Sequence, residues 1–519
     1  MSSADPPGPA GGDPPGPAVE LKHGAISFLD ALVIGLASTS PAYSLAAVIG
    51  PVVALVGVYA PGVLVASFVP MLLIASAFYH LNRADQDCGT TFSWVSRALG
   101  PWLGWIGGWA ISMTGVLVVG SLADTAVRFA LLTVGLDGLT ENTPLVVGLT
   151  VAVIILMTAV CVIGTDTSAR FQNVLILLQV LSLLVFAAVA LYRAVAGTST
   201  LAAQAPSFTW LNPFAEGGAA LTAGLLLGVF VYWGWESAVN LTEETEDSAS
   251  APGRAGVVST VVLLVTYVGV AYAVVAYAGP DFLGENEDQA EQIFAVLGKE
   301  VLGGWNWVLL LSVATSALAS TQTTIIPASR TGLSMARRHA LPRSLAHIHP
   351  RFQTPDVSTW LVAAIAAGWY VLANIISENA LLDSLSALSL LIAFYYALTG
   401  IACAVYYRRQ LTRSVQNLLL IGVGPVVGAI LLIWLLIRSV VDLNDPAASS
   451  TGTAWFGLGP PLVIGVAIFL IGVAFMVFWR FRDATYWRER PGVAPDPDTG
   501  DPAPGDPATG GPESVRMQR

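Results

Sequence analysis

Apolar stretches of about twenty residues or more recur along the chain, parted by short polar connections. A helix needs about 20 apolar residues to cross the hydrocarbon of a bilayer. The pattern therefore predicts twelve crossings, at 25–55, 61–81, 101–132, 144–164, 171–193, 217–241, 256–278, 305–330, 357–376, 380–407, 416–440 and 456–479. The first, third, sixth and eighth are longer than a crossing needs or are interrupted by Gly, Pro or polar residues, as tilted or broken helices would be. The expected architecture is an all-α integral membrane protein. Its body covers 23–482, between polar tails at 1–22 and 483–519 that hold too little apolar surface to offset the entropy of ordering.

Two interruptions differ from the rest. Span one reads GLASTSPAYSLAAVIGP from Gly35. Pro41 cannot donate to the helix ladder and disfavours helix at Ser40. Backbone groups freed at membrane depth must be met by protein, water or a ligand. Either a proline kink patched by the hydroxyls of Ser38, Thr39 and Ser40, or a break that holds a solute, accounts for the segment. Span six reads GLLLGVFVYWGWESAVNLTEE from Gly224 and favours the second account. Gly234, between Trp233 and Trp235, weakens the helix interior. Glu236 follows, and an ionisable residue within a span is costly and usually faces a cavity or a partner. Spans one and six each open a block of five, repeat one at about 25–193 and repeat two at about 217–407, with two additional helices at about 416–479. Five crossings leave the chain on the other side, so the second block enters inverted. Broken helices at matching positions of inverted blocks point to a transport site.

Charge narrows the picture. Charged residues are 11% of the chain, against about 25% in soluble proteins. A soluble chain so composed would expose large apolar patches. The net charge of −11 gives no support to nucleic-acid binding. Neither Lys22 nor Lys299, the two lysines, lies in GxxxxGK[ST], so the phosphate loop of an ATP-driven pump is missing. Cys88, Cys161 and Cys403 are far apart and suggest no ligand cluster. The N-terminal tail has no basic region before a short apolar one, so a cleaved signal peptide is not expected. With both termini cytoplasmic, all 23 basic residues except Arg128, Arg193, Lys299 and Arg438 fall in the tails, in inside loops or at inside helix ends. The loop after span seven, with Asp281, Glu285, Glu287, Asp288 and Glu291, is then outside.

Three segments resemble the amino acid–polyamine–organocation superfamily of secondary transporters, which includes bacterial amino acid permeases. They are CGTTFSWVSRALGPWLGWIGGW from Cys88, YWGWESAVNLTEE from Tyr232, and SRTGLSMARRHALPRSLAHIHPRFQTP from Ser329. The resemblance implies a five-plus-five inverted repeat with helices one and six unwound at mid-membrane. It also implies that amides of the first break hold a substrate carboxylate, and that carbonyls ending the outer half of helix six receive an ammonium. Unpaired N–H groups at a half-helix N-terminus do favour an anion. Carried over, the substrate-binding residues are Ser38, Thr39 and Ser40 with Phe230, Tyr232, Trp233, Gly234 and Trp235. Trp233 or Phe230 would cover the ammonium by cation–π attraction. The chain departs from the family at two points. Ala37-Ser38-Thr39-Ser40 stands where many members have a Gly-rich turn, and Gln179 stands near a helix-five lysine found in some proton-coupled members. Glu236 is then the expected carrier of a co-transported proton, or a gate. A co-transported sodium ion would instead use Ser316 and Ser320 with helix-one carbonyls, although back-bonding of those hydroxyls to their own helix is the simpler expectation.

Other residues attract plainer readings. Asp124 reads as a hydrated carboxylate near the outer rim. Asp383 and Ser386 open span ten, where the family has gate or substrate contacts. Glu243 and Glu244 are expected either to pair with inside arginines or to be solvated. The pairs Gly104/Gly108 and Gly224/Gly228 suit close helix packing. No cluster of His, Asp, Cys or Ser at one membrane face suggests an enzyme, and no cofactor or metal is expected. The function expected is a permease moving amino acids across the cytoplasmic membrane by alternating access, as symport with an ion or as exchange. A polyamine or amine transporter of the same fold and a non-transporting nutrient sensor are its rivals.

Overall fold

The computed structural model describes residues 20–285, 293–377, 380–448 and 453–494. The chain folds into α1 (Phe28–Thr39), α2 (Pro41–Val56), α3 (Ala60–Ala84), α4 (Thr91–Leu99), α5 (Pro101–Thr133), α6 (Thr143–Ile163), α7 (Thr165–Val195), α8 (Gly218–Val231), α9 (Ser237–Asn240), α10 (Ala251–Glu285), α11 (Ile293–Leu302), α12 (Asn306–Arg337), α13 (Asp356–Ile376) and α14 (Ala380–Tyr406). The short α15 (Val415–Asn417) runs through a π-helical stretch into α16 (Gly424–Asp442), and α17 (Pro460–Arg482) follows. A proline stands at the start of α2, α3, α5, α6, α16 and α17. There its missing N–H costs nothing and its fixed φ suits the first turn.

Among the described residues, ten helical stretches are long and apolar enough to cross a membrane. The first, Phe28–Ala84, contains α1, α2 and α3. Burial separates the helices into an inner and an outer set. The most apolar stretches of α5 and α14 are 78% buried, against 33% for α6 and α13 and 28% for α17. The outer set presents Ile155, Leu156, Ile375 and Leu470 to the surroundings, as lipid contact requires. The chain is a multi-pass membrane protein. Glycines let inner helices touch: a Cβ on Gly104 would meet Ser96, one on Gly108 would meet Phe92 and Met335, and one on Gly228 would meet Ser67.

The face on which α1 begins also carries the segments before α4, after α9 and after α12. Ala25 and Ile26 donate to the Glu244 carbonyl, and Glu246 donates back to Ile26, so the chain entering α1 is zipped to the chain leaving α9. The polar tail expected from Asp483 is corrected for residues 483–494, which pack on this same face. Tyr486 is fully buried, its hydroxyl bonded to Ser96 (2.7 Å) and to the Pro101 carbonyl (2.9 Å). Trp487 packs tilted against Trp102, and Glu489 pairs with Arg338. Two aromatic side chains supply the apolar area that the composition of the tail as a whole lacks. Residues 1–19 and 495–519, and Glu287, Asp288 and Glu291 of the acidic loop, lie outside the described residues.

Candidate functional site

Helix α1 has 12 residues and α8 has 14, so at ~1.5 Å per residue neither exceeds about 21 Å. The hydrocarbon is about 30 Å thick, so neither helix alone is long enough to cross it. Ser40 makes the first break. It sits at φ 52° and ψ 65°, left-handed, between α1 and Pro41 at the start of α2. The carbonyls that α1 leaves at its end are met locally: Ser40 N–H donates to Leu36 and Ala37, Ser44 Oγ donates to Thr39 O (2.7 Å), and Ser320 Oγ donates to Ser38 O (2.8 Å). The opposite pole of the break differs. The N-terminus of α2 receives no side-chain cap from Ser40, and amides at a helix N-terminus favour negative charge.

The second break runs from Tyr232 to Glu236. Gly234 has φ 116°, and a Cβ there would lie 2.8 Å from the Ser38 carbonyl oxygen and 3.0 Å from Thr39 N. Only glycine fits both the conformation and the contact. On the other side, a Cβ on Gly35 would lie 3.1 Å from the Trp235 carbonyl oxygen. The hydroxyls of Ser38 and Ser237 share a 2.7 Å hydrogen bond. The two breaks therefore abut, main chain on main chain.

Beside them is a small cavity lined by Ser38, Thr39, Ser40, Tyr43, Ser44 and Ser320 together with Val118, Leu122, Phe230 and Trp233. Of the residues expected to bind a solute, the structure brings Ser38, Thr39, Ser40, Phe230 and Trp233 to this wall. Gly234 supports it from behind. Tyr232 and Trp235 point elsewhere: Tyr232 packs against Phe68 and Tyr267, and Trp235 against Phe78 and Tyr396. Successive side chains of the unwound stretch diverge, so one face cannot hold them all.

Glu236 is buried but is not on the cavity wall. Its carboxylate accepts from the Tyr395 hydroxyl, from the Tyr396 hydroxyl (2.6 Å) and from Gly234 N–H (3.1 Å). The Trp233 indole N–H donates to the Tyr395 hydroxyl. A chain of hydrogen bonds thus runs from the cavity wall through Trp233 and Tyr395 to Glu236. The expected back-bonding of the helix-eight hydroxyls is corrected. Ser316 meets Ser40 (2.9 Å) and Ser320 meets Ser38, because α12 lies against the break, where carbonyls and hydroxyls lack helical partners. Gln179 is fully buried on α7. Asp383 and Ser386 do not line the cavity. Asp124 is corrected too. It is buried, not hydrated, because Arg128 (2.6 Å) and the Tyr370 hydroxyl (2.6 Å) satisfy it.

Sequence reasoning missed Tyr43, Ser44, Val118, Leu122, Tyr395 and Tyr396. The adjacent tyrosines carried a signal, since phenols at membrane depth each need a partner. Val118 and Leu122 carried none, being apolar residues of an apolar span.

A second polar region lies on the α1-entry face. Arg330 donates to Glu244 at 2.7 Å with both side chains 1% exposed. Arg337 pairs with Glu243 (2.8 Å) and Arg97 with Asp85 (3.1 Å). Burial and neighbouring Asp87 push the Asp85 carboxyl up to about 6. Cys88 lies with Asp87 and Glu243, all three ligand atoms within 4.8 Å. Those carboxylates are engaged, Asp87 by Gly89 N–H and Ser334 and Glu243 by Cys88 N–H and Arg337. The cluster is part of the ion-pair lattice.

Abutting broken helices around a small buried cavity, in a multi-pass helical body, are the marks of a membrane transporter. The same fold is found in the manganese transporter of Eremococcus coleocola, at TM-score 0.54 and 14% identity, covering 91% of this chain and 99% of that one. The family model described as amino acid permease matches residues 26–479, and the chain belongs to that family of secondary transporters. An uncharacterised transporter of Mycobacterium tuberculosis is 32% identical over 356 residues, 67% of this chain and 74% of its own. The low-affinity putrescine importer PlaP of Escherichia coli is 23% identical over 452 residues, 85% of this chain and 93% of its own. The human Asc-type amino acid transporter 1 is 28% identical over 275 residues, 53% of this chain and 47% of its own.

Proposed function

We propose that this permease carries amino acids across the cytoplasmic membrane, binding them in the cavity between the two breaks. One observation carries the reading: the cavity lies at the uncapped N-terminus of α2, with the aromatic faces of Phe230 and Trp233 on the same wall. A carboxylate suits the first and an ammonium suits the second. The chain crosses twelve times as two inverted five-helix blocks followed by two further helices, counting α1 with α2, and α8 with α9, as one crossing each. Both termini are cytoplasmic, since Arg83, Arg97, Arg337, Arg338, Arg343, Arg351 and Arg408 share the face of the ion-pair lattice. A bundle containing the broken helices rocks against the scaffold and exposes the site to each side in turn. A co-transported proton, a sodium ion or a counter-substrate gradient supplies the free energy. Glu236 is the proton's station, held by the hydroxyls of Tyr395 and Tyr396, and Ser316, Ser320 and the Ser38 carbonyl are sodium's.

The likeness to a putrescine importer favours a diamine instead. Against it, the cavity wall offers no carboxylate to either ammonium. Uptake of radiolabelled alanine and putrescine into proteoliposomes, with imposed proton or sodium gradients, tests the proposal. Alanine flux that follows a gradient is the expected result. Putrescine flux alone would refute the substrate, and binding without flux would make the protein a sensor.

A further inference from the structure

Resting on that transport reading, we propose that residues 483–494 act as a strap, whose far end holds the last turn of α14 to α4 and so limits how fast the carrier turns over. The segment reads DATYWRERPGVA. Its middle forms one helical turn, Tyr486–Arg488, which Pro491 does not allow to continue. So short a piece of chain holds its place only through what it is bonded to, and its bonds go to four places. The near half sits on α4, α5 and the residues just past α12. Asp483 meets His339 Nδ1 at 3.0 Å, Tyr486 bonds to Ser96 of α4 and to the Pro101 carbonyl of α5, and Glu489 pairs with Arg338. The far half then crosses to another helix. Gly492 N–H donates to the Arg97 carbonyl of α4 (2.7 Å), and Ala494 N–H donates to the Tyr406 carbonyl of α14 (3.0 Å). Val493 and Ala494 are buried, and Ala494 joins the apolar cluster that contains Tyr406 and Tyr407.

The consequence lies in what α14 carries. About three turns before Tyr406, the hydroxyls of Tyr395 and Tyr396 hold Glu236 at the second break. Helix α14 is thus bonded to the break at one level and strapped to α4 at its end. If the break moves relative to α4 and α5, as rocking requires, α14 must either exchange its bonds to Glu236 or swing its end. The strap opposes the second course. Its hold on α14 is also easily released. It consists of one backbone hydrogen bond and two small apolar side chains, and the Arg338–Glu489 pair beside it is partly exposed, of a kind that contributes little.

The test compares initial rates of alanine and putrescine uptake into proteoliposomes by three chains: full length, ending after Gly500, and ending after Arg490. The last keeps Tyr486, Trp487 and Glu489 on the face and loses Pro491 to Ala494. The expected result is equal rates for the first two and a rate at least about threefold higher for the third. Equal rates in all three overturn the strap and leave transport standing. A lower rate in the third with an unchanged unfolding midpoint does the same. A faster rate in the chain ending after Gly500 places the restraint beyond the strap and overturns its assignment to residues 483–494. If the third chain does not fold, Ala494→Pro takes its place, because it removes the N–H bonded to Tyr406 and leaves the rest of the strap; the same rise is expected and the same equality refutes. No uptake of either solute by any of the chains overturns the transport reading itself.

Discussion

The helix breaks and the ion-pair lattice on the α1-entry face are both buried and both polar, yet they are built from different groups. At the breaks, the side-chain contacts among α1, α9 and α12 are hydroxyl to hydroxyl or hydroxyl to carbonyl: Ser38 with Ser237, Ser40 with Ser316, Ser320 with Ser38. Each such bond nets about 0.5–1.5 kcal/mol, so partners can be exchanged at small cost. On the face, Arg330 and Glu244 are each 1% exposed and bonded to one another. Removing one partner of such a pair costs about 3–5 kcal/mol, because the other charge is left buried. The centre is suited to trading protein partners for a solute. The contacts that hold the face cost more to break.

The severest way to break this comparison is Gly234→Leu. The side chain must enter the Ser38–Thr39 peptide at a φ that L-residues rarely adopt. Solute binding should fall by more than about a hundredfold, while size-exclusion chromatography still gives a folded membrane protein. Normal affinity would detach the site from the breaks. Next is Glu244→Gln against Glu236→Gln. The first strands a buried guanidinium and should cost about 3–5 kcal/mol. The second keeps neutral hydrogen bonding with Tyr395 and Tyr396 and should cost about 1–3 kcal/mol. Thermal unfolding of the two variants side by side checks this, and the reverse order would show that the centre, not the face, holds the fold. Glu236→Gln should in addition change the pH dependence of uptake, and an unchanged profile would remove Glu236 as proton carrier.

A smaller loss is expected from Tyr486→Phe. It removes the hydroxyl shared by Ser96 and Pro101 and should cost about 1–2 kcal/mol. No change in unfolding midpoint would mean that residues 483–494 do not brace the face. The smallest effect is one of pH. Folding raises the Asp85 carboxyl from an ordinary 3.8 to about 6. The stability this contributes is full below 3.8 and is lost as pH rises through about 6. Asp85→Asn lacks that titration, so the unfolding midpoint of the natural chain should fall relative to the variant between about pH 4 and 6. Parallel curves would show that Asp85 does not titrate there.

Much of this was legible from the chain alone, for physical reasons that differ by region. The helices announced themselves because lipid imposes one length and one composition on every crossing. The breaks did so because Pro41 and Gly234 are poor helix residues, standing beside polar ones at a depth where freed backbone must be met. The cavity wall was legible only in part. Ser38 to Ser40 and Phe230 to Trp235 were visible as strings, but which of them face inward depends on the turn at Gly234. Val118 and Leu122 become wall residues only because α5 passes the breaks. Tyr486 and Trp487 lay in a segment whose Pro- and Asp-rich remainder outweighed two aromatics.

The backbone pairing of Ala25 and Ile26 with Glu244 and Glu246 fastens the chain entering the first broken helix to the chain leaving the second. The two halves of the sequence, some 220 residues apart along the chain, are therefore tied to each other by main chain at the roots of their broken helices.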